Sequence, residues 1–364
     1  MLAAMRRARS KLLLLSLFLG LALPACGSRE SLGDGSLRVL GSGVVNDPSN
    51  KSLRFDMLKF GLDRFCEEML KAGAALKLSD QEPVLGRFFA ESCQSQVIDE
   101  DARKSFVMQY TGKGYAWTNV TGKLGFTSRG LVEYAPDFQL SDGALYVYFR
   151  PKTVEAAAFQ LVSIESAAAQ AGIAAAAGTV SPDEIGRHVL DSQLRRGFTV
   201  IRYGSDGSTD FGLGIVAKGQ KPYKPFDIKT SKRTLVNERT EVHVQSQDYI
   251  GPLDVTDGGS ALFLTLELDG ADSVDYQVVP KATGDAMLER YVRNQGPCPQ
   301  LAPPAFEGSA SRSPRTQQPI PLPVGQYFLV LDNSNGLGRT QPPPGAAGDN
   351  AARVDYALLL GPRD

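Results

Sequence analysis

The hydrophobic pattern of the chain begins with a short apolar block and then changes period. Arg6, Arg7, Arg9 and Lys11 precede a nearly continuous apolar run, Leu12 to Leu23, broken only by Ser16 and Gly20. At 12 residues the run falls short of the roughly 20 that a spanning helix needs, and a basic head before it predicts an export signal. Residues 53–76 then follow helical spacing. Leu53, Met57, Phe60, Leu62, Phe65, Met69 and Leu76 alternate with Arg54, Asp56, Lys59, Asp63, Arg64, Glu67 and Glu68, which predicts an amphipathic helix. A second short helix is predicted from Glu82 or Pro83 to Val97, with Pro83 in its first turn and Leu85, Phe88, Phe89 and Cys93 along one side.

After Asp101 the period becomes two. Ser105–Tyr110, Gly114–Val120, Lys123–Phe126, Leu131–Tyr134 and Ala144–Phe149 are short aromatic or branched runs separated by Gly, Asp and Ser, the pattern of antiparallel strands. Residues 154–178 are alanine-rich and read as helix by propensity, with Phe159–Ile164 left open as a strand. Ser181, Pro182, Asp183 and Glu184 start a capped helix that Gly197 ends. Phe198–Tyr203 and Thr209–Ala217 form a hairpin, and the breakers from Gly219 to Pro225 mark a domain boundary.

From Phe226 the pattern is nearly all strand: Arg239–Gln245, Gly251–Val255, Ala261–Leu268 and Ser273–Val279. A short helix from Thr283 to Asn294, a Pro-rich loop over 296–323, the strand Gln326–Leu331, a second Pro-rich loop over 338–350 and the strand Arg353–Leu360 complete it. The expected fold class is therefore α+β: an N-terminal α+β domain with an antiparallel sheet (53–220), then a C-terminal antiparallel β-sandwich (226–364). Residues 1–25 are the signal and 26–52 a tether rich in Gly, Ser and charge near its start.

Composition narrows the function classes. Beyond Ala25 the chain keeps 339 residues with 35 basic against 40 acidic side chains, room for two domains and no basic stripe for nucleic acid. Of the cysteines beyond Cys26, Cys66 and Cys93 flank a short segment in helix-like surroundings and are expected to pair in an oxidising compartment. Cys298 is then an unpaired thiol in a Pro-rich loop.

Catalytic signals are scarce. The two histidines, His188 and His243, read as surface polar residues, with no G-x-S-x-G to partner them. There is no H-E-x-x-H, C-x-x-C or phosphate-binding glycine motif, so no catalytic residue, metal ligand or cofactor is assigned. Asp206–Asp210 spaces oxygens as a calcium loop does but lacks the distal Glu, and reads as a hairpin turn. Asn119-Val120-Thr121 is a glycosylation sequon. Tyr110, Tyr115 and Trp117, with Phe126, are either ligand-facing aromatics or core, and core is the reading favoured by half-buried strands.

Two resemblances add to this. Leu23-Pro24-Ala25-Cys26 resembles the lipobox of bacterial lipoproteins, which implies diacylglyceryl attachment to Cys26, cleavage before it and acylation of the new amine. Gly27 rather than Asp after that Cys implies the outer membrane. Gly325–Ser334 with its closing strand resembles the end of GOLD-type binding sandwiches. The resulting expectation is a lipid-anchored envelope protein, non-catalytic, that meets the membrane through Cys26 and a protein or glycan partner through its body. The alternatives are an envelope hydrolase using unidentified carboxylates and a periplasmic lipid carrier.

Overall fold

A computed structural model describes residues 47–52, 55, 66, 70, 72–100, 103–119, 121–141, 143–165, 194–203, 209–294, 296–339 and 351–363. The apolar run, Cys26, most of the tether and nearly all of the 53–76 helix lie outside them. So do His188, most of the capped 181–196 helix, the Asp206 turn, the middle of the sequon and residues 340–350 of the second Pro-rich loop.

The first half is a seven-stranded meander in sequence order: β1 (Ala74–Leu76), β2 (Gly86–Glu100), β3 (Arg103–Thr118), β4 (Gly122–Ser141), β5 (Ala144–Ile164), β6 (Phe198–Tyr203) and β7 (Thr209–Leu213). Each neighbour pair is antiparallel. The expected helix at 83–97 is therefore corrected to a strand. Its apolar residues do not form one stripe: Phe88 packs on Tyr110 and Phe126 on one face of the sheet, and Phe89 packs on Tyr115 and Phe328 on the other. A strand buried on both faces carries adjacent apolar residues, which a helical reading mistakes for periodicity.

Part of the alanine-rich helix is corrected too. Val154 to Ile164 continue β5, with Glu155 opposite Leu131 and Ala158 opposite Arg129 on β4. Alanine's advantage in a helix is only a few tenths of a kcal/mol per residue, and a continuous ladder outweighs it. The several short runs expected after Asp101 likewise merge into long strands, because Gly112, Gly114, Gly125 and Gly130 sit inside ladders rather than in turns.

The second half is a sandwich of β8 (Arg233–Val242), β9 (Ser246–Val255), β10 (Ser260–Asp269), β11 (Ser273–Pro280), β12 (Phe306–Ser311), β13 (Thr316–Pro321), β14 (Gly325–Asn333) and β15 (Ala352–Pro362). One helix, α1 (Lys281–Arg293), lies between β11 and β12. The sheets run β13-β10-β15-β8 and β12-β11-β14-β9. Every connection except β11 to β12 passes from one sheet to the other, which is the strand order of a jelly roll. The expected 296–323 loop is corrected, since it holds β12 and β13. The prolines fit because β13 is an edge strand. With α1 the one long helix among the described residues, the α+β expectation gives way to a mainly antiparallel β architecture.

Alternating residues of both sheets, among them Leu262, Leu264, Leu266, Val274, Val278, Leu329, Val354 and Leu358, fill the sandwich core. A separate cluster joins the two halves. Met287, Leu288, Tyr291 and Val292 of α1 pack between Tyr249, Phe328 and Val330 of the sandwich and Phe89 and Tyr115 of the meander. The backbone approaches closely here: a Cβ on Gly125 of β4 would fall 1.8 Å from the Val292 carbonyl oxygen, so only glycine fits.

The sandwich edges are closed unevenly. Beside β8, Val84 forms a parallel bridge with Thr240; its N–H donates to the Arg239 carbonyl at 2.8 Å and its carbonyl accepts from Glu241 N–H at 3.0 Å. Beside β9, Gly73 N–H donates to Gly251 O at 2.9 Å. β13 carries Pro319 and Pro321, which remove donors from its edge. Among the described residues β12 alone has neither device. The Cys66–Cys93 disulfide is present, with Cα atoms 5.2 Å apart, although Cys93 lies on strand β2 rather than in a helix. Cys298 is free and buried beneath α1.

Candidate functional site

The densest polar chemistry sits where the meander meets the sandwich. Arg87 and Tyr115 are cross-strand partners on β2 and β3 and so share a face, the one turned toward β9. Arg87 donates from Nε to Asp248 Oδ1 at 2.7 Å and from Nη2 to Asp248 Oδ2 at 2.9 Å. Nη2 also donates to Tyr356 Oη at 2.9 Å, and Nη1 lies 3.4 Å from Glu238 Oε2. Asp248 further accepts from Tyr115 Oη at 2.6 Å and Thr240 Oγ1 at 2.9 Å, while Tyr249 N–H donates to Tyr115 Oη at 2.7 Å. Burial alone would raise the Asp248 carboxyl, but Arg87 and the bonds from Tyr115 and Thr240 hold it below its usual range. Burial likewise opposes the charge on Arg87, and Asp248 outweighs it, so the guanidinium stays charged. A buried pair survives only when its remaining donors and acceptors are satisfied in this way.

Beside this pair lies a crevice lined by Trp117, Lys123, Glu241, His243, Gln247 and Tyr291, with about 20 Å³ of space. That holds one water-sized group, against the hundreds of Å³ of an ordinary small-molecule site. Trp117 and His243 stack with centroids 3.3 Å apart and planes 4° from parallel. His243 is buried, not on the surface as expected, and its Nε2 is 3.6 Å from Glu241 Oε1. The register explains it: His243 follows β8 at the junction, where the meander covers the strand end. Lys123 donates to the Tyr291 carbonyl at 2.6 Å and to Asn294 O, and lies 4.2 Å over the Tyr291 ring. It thereby caps the C-terminal end of α1. Burial lowers its ammonium to about 8, against the pull of Glu165.

A second polar group lies on the outer face of the β11–β14 sheet. Asp275 and Asp332 are buried cross-strand neighbours. Asp332 accepts from Ser334 Oγ at 2.6 Å and Leu337 N–H at 3.1 Å, which folds the chain after β14 over the sheet. Burial, with Asp275 adding to it, raises the Asp332 carboxyl to about 7 despite those bonds. Gln247 ties in the segment after α1 by accepting from Cys298 N–H and donating to Cys298 O, both at 2.9 Å.

The aromatics expected to act together are divided by strand parity. Tyr110 is on the face of β3 with Phe88 and Phe126, whereas Tyr115 and Trp117 face the sandwich. Cys26 lies outside the described residues. Sequence reasoning missed Arg87, Asp248 and Lys123. The available signal was a lone charge inside an apolar strand, as in Val84-Leu85-Gly86-Arg87-Phe88-Phe89, since such a charge is tolerated only with a buried partner. Among the described residues, no group of three or more His, Cys, Asp or Glu is placed to hold a metal, and no helix is long and apolar enough to cross a membrane.

No family model matches the sequence, and no curated protein matches it. Solved structures that match include that of infectious bursal disease virus, Gt strain, at 11% identity over 79% of this chain and 73% of that one. Its TM-score of 0.20 is too low to carry an argument.

Proposed function

We propose that the chain is a bacterial envelope lipoprotein, held through diacylglyceryl Cys26 at the outer membrane, with a non-catalytic body that binds a protein or glycan partner. The observation that carries this reading is the pairing of a lipobox-like signal with a junction sealed by Arg87 and Asp248. The signal supplies an address, and the sealed junction supplies a rigid two-part body. Rigid sandwiches bind through loops and strand edges, which cost little ordering on association. Among the described residues the cross-strand pair of buried carboxylates, Asp275 and Asp332, lies 1% and 0% exposed, so it offers a hydrolase no access for substrate and gives that reading no support. Two experiments test the proposal together. Metabolic palmitate labelling should mark the wild-type chain in the membrane fraction and be lost with Cys26→Ser; persistent labelling overturns the tether. Crosslinking in cells followed by affinity purification should return one envelope partner, and turnover of an envelope polymer by the purified chain overturns the non-catalytic assignment.

A further inference from the structure

We propose that the connector after β7, with the turns beside it, is a surface that rests on anionic phospholipid headgroups. Charge is the first observation. Residues 195–233 hold nine basic and three acidic side chains in a chain whose formal net charge is −1. Of the acids among them, Asp210 is buried and paired with Lys224 and Tyr203. The nearby Asp80 accepts from Tyr223 N–H at 2.6 Å. Asp210 is thus turned inward and the exposed Asp227 is matched by Lys229 at 3.1 Å, so the remaining cations leave the exposed side of the connector net basic; Asp206 lies outside the described residues. Lys218 and Lys221 are exposed and make no ion pair among the described residues.

The second observation is apolar. Four large hydrophobic residues are exposed among the described residues, and two of them, Leu78 at 58% and Ile215 at 42%, lie on segments bonded to the Arg196–Gly197 turn. Arg196 Nη1 donates to the Leu78 carbonyl, and Gly214 N–H donates to Gly197 O at 3.0 Å, which seats Ile215 beside Arg195 and Arg196. The connector is fixed to the sheet behind it. Tyr146 Oη donates to Gln220 O at 3.4 Å, and Lys221 Nζ lies 5.2 Å over the Tyr203 ring. Apolar tips ringed by cations on a fixed support match a headgroup layer, where cations meet phosphates and the tips enter the interface. An acidic protein would complement the charge but leave Leu78 and Ile215 unexplained. The inference draws on the tether only in that acyl chains on Cys26 would keep this surface within reach of a bilayer.

Its test omits the acyl chains. The mature-length Cys26→Ser chain is sedimented with vesicles of phosphatidylcholine, alone or mixed with phosphatidylglycerol, at low and high salt. Binding to the mixed vesicles only, weakened by salt, is expected. Arg195→Gln, Lys218→Gln and Lys221→Gln together should weaken it about a hundredfold, at roughly fivefold per charge. Arg290→Gln, Arg312→Gln and Arg353→Gln make the same charge change elsewhere and should leave it intact. Leu78→Ser with Ile215→Ser should weaken binding without changing its salt dependence. No preference for the anionic vesicles, or equal losses from the two arginine and lysine sets, overturns the proposal. Palmitate labelling of Cys26 reports separately on the tether.

Discussion

Arg87 on β2 grips both carboxylate oxygens of Asp248 on β9, so a residue of the meander and a residue of the jelly roll form one buried ion pair. Breaking such a pair strands the surviving charge. Arg87→Met or Asp248→Leu alone is expected to cost about 3–5 kcal/mol, and the double variant less than the sum of the two. Urea unfolding of the three variants measures this, and full additivity would show that the pair is not coupled.

Trp117 is the only tryptophan of the chain and stands at the junction against His243. Its fluorescence therefore follows the seam, while far-UV circular dichroism follows all the strands. The seam joins the halves through Arg87, Tyr115, Lys123 and α1, so both signals are expected to change in one coincident transition. A fluorescence change that precedes the loss of strand signal would show that the halves separate before they unfold.

Asp332 gives a pH dependence of definite sign. Its carboxyl is raised from the usual 3.8 to about 7, so the folded state binds its proton more tightly than the unfolded chain. The stability it contributes is complete below the unfolded value and is lost as pH rises through about 7. The span corresponds to at most about 4 kcal/mol. Asp332→Asn keeps an acceptor for Leu337 N–H and removes the titration. Melting temperatures across this range should fall toward alkaline pH in the wild type and flatten in the variant; parallel curves would refute the assignment.

The Cys66–Cys93 bond spans a separation of 27 residues. Reduction, or replacement of both cysteines by alanine, is expected to cost roughly 3–4 kcal/mol through the freedom restored to the unfolded chain. The loss should show as a lower urea midpoint, with a slope that rises because the released chain exposes more surface when unfolded. An unchanged midpoint would mean that the bond does not constrain the denatured ensemble.

The second half of the chain was far more legible than the first. Its strands alternate, because each sheet has one face in the common core, and turns such as Asp257-Gly258-Gly259 and Asp269-Gly270 fall where the pattern stops. β2 failed because Phe88 and Phe89 are buried on opposite faces, which hides the period of two. The tail of β5 failed because local preference was set against a ladder that only tertiary structure supplies. β13 was hidden by prolines that an edge strand accepts, and β12 by its small residues Gly308, Ser309 and Ser311. The disulfide was found from spacing, although the secondary structure assumed around Cys93 was wrong. The junction was unreadable for a different reason. Arg87 and Asp248 lie 161 residues apart, and nothing local in either strand names its partner.

The closed borders of the jelly roll carry one more consequence. Val84, Gly73 and the prolines of β13 each interrupt one of the four sandwich borders against an incoming strand. An open sheet border is a template for fibrous self-assembly. Among the described borders of the sandwich the short β12 is the one left bare, and a stack begun there would meet a bonded or proline-bearing border at its next step.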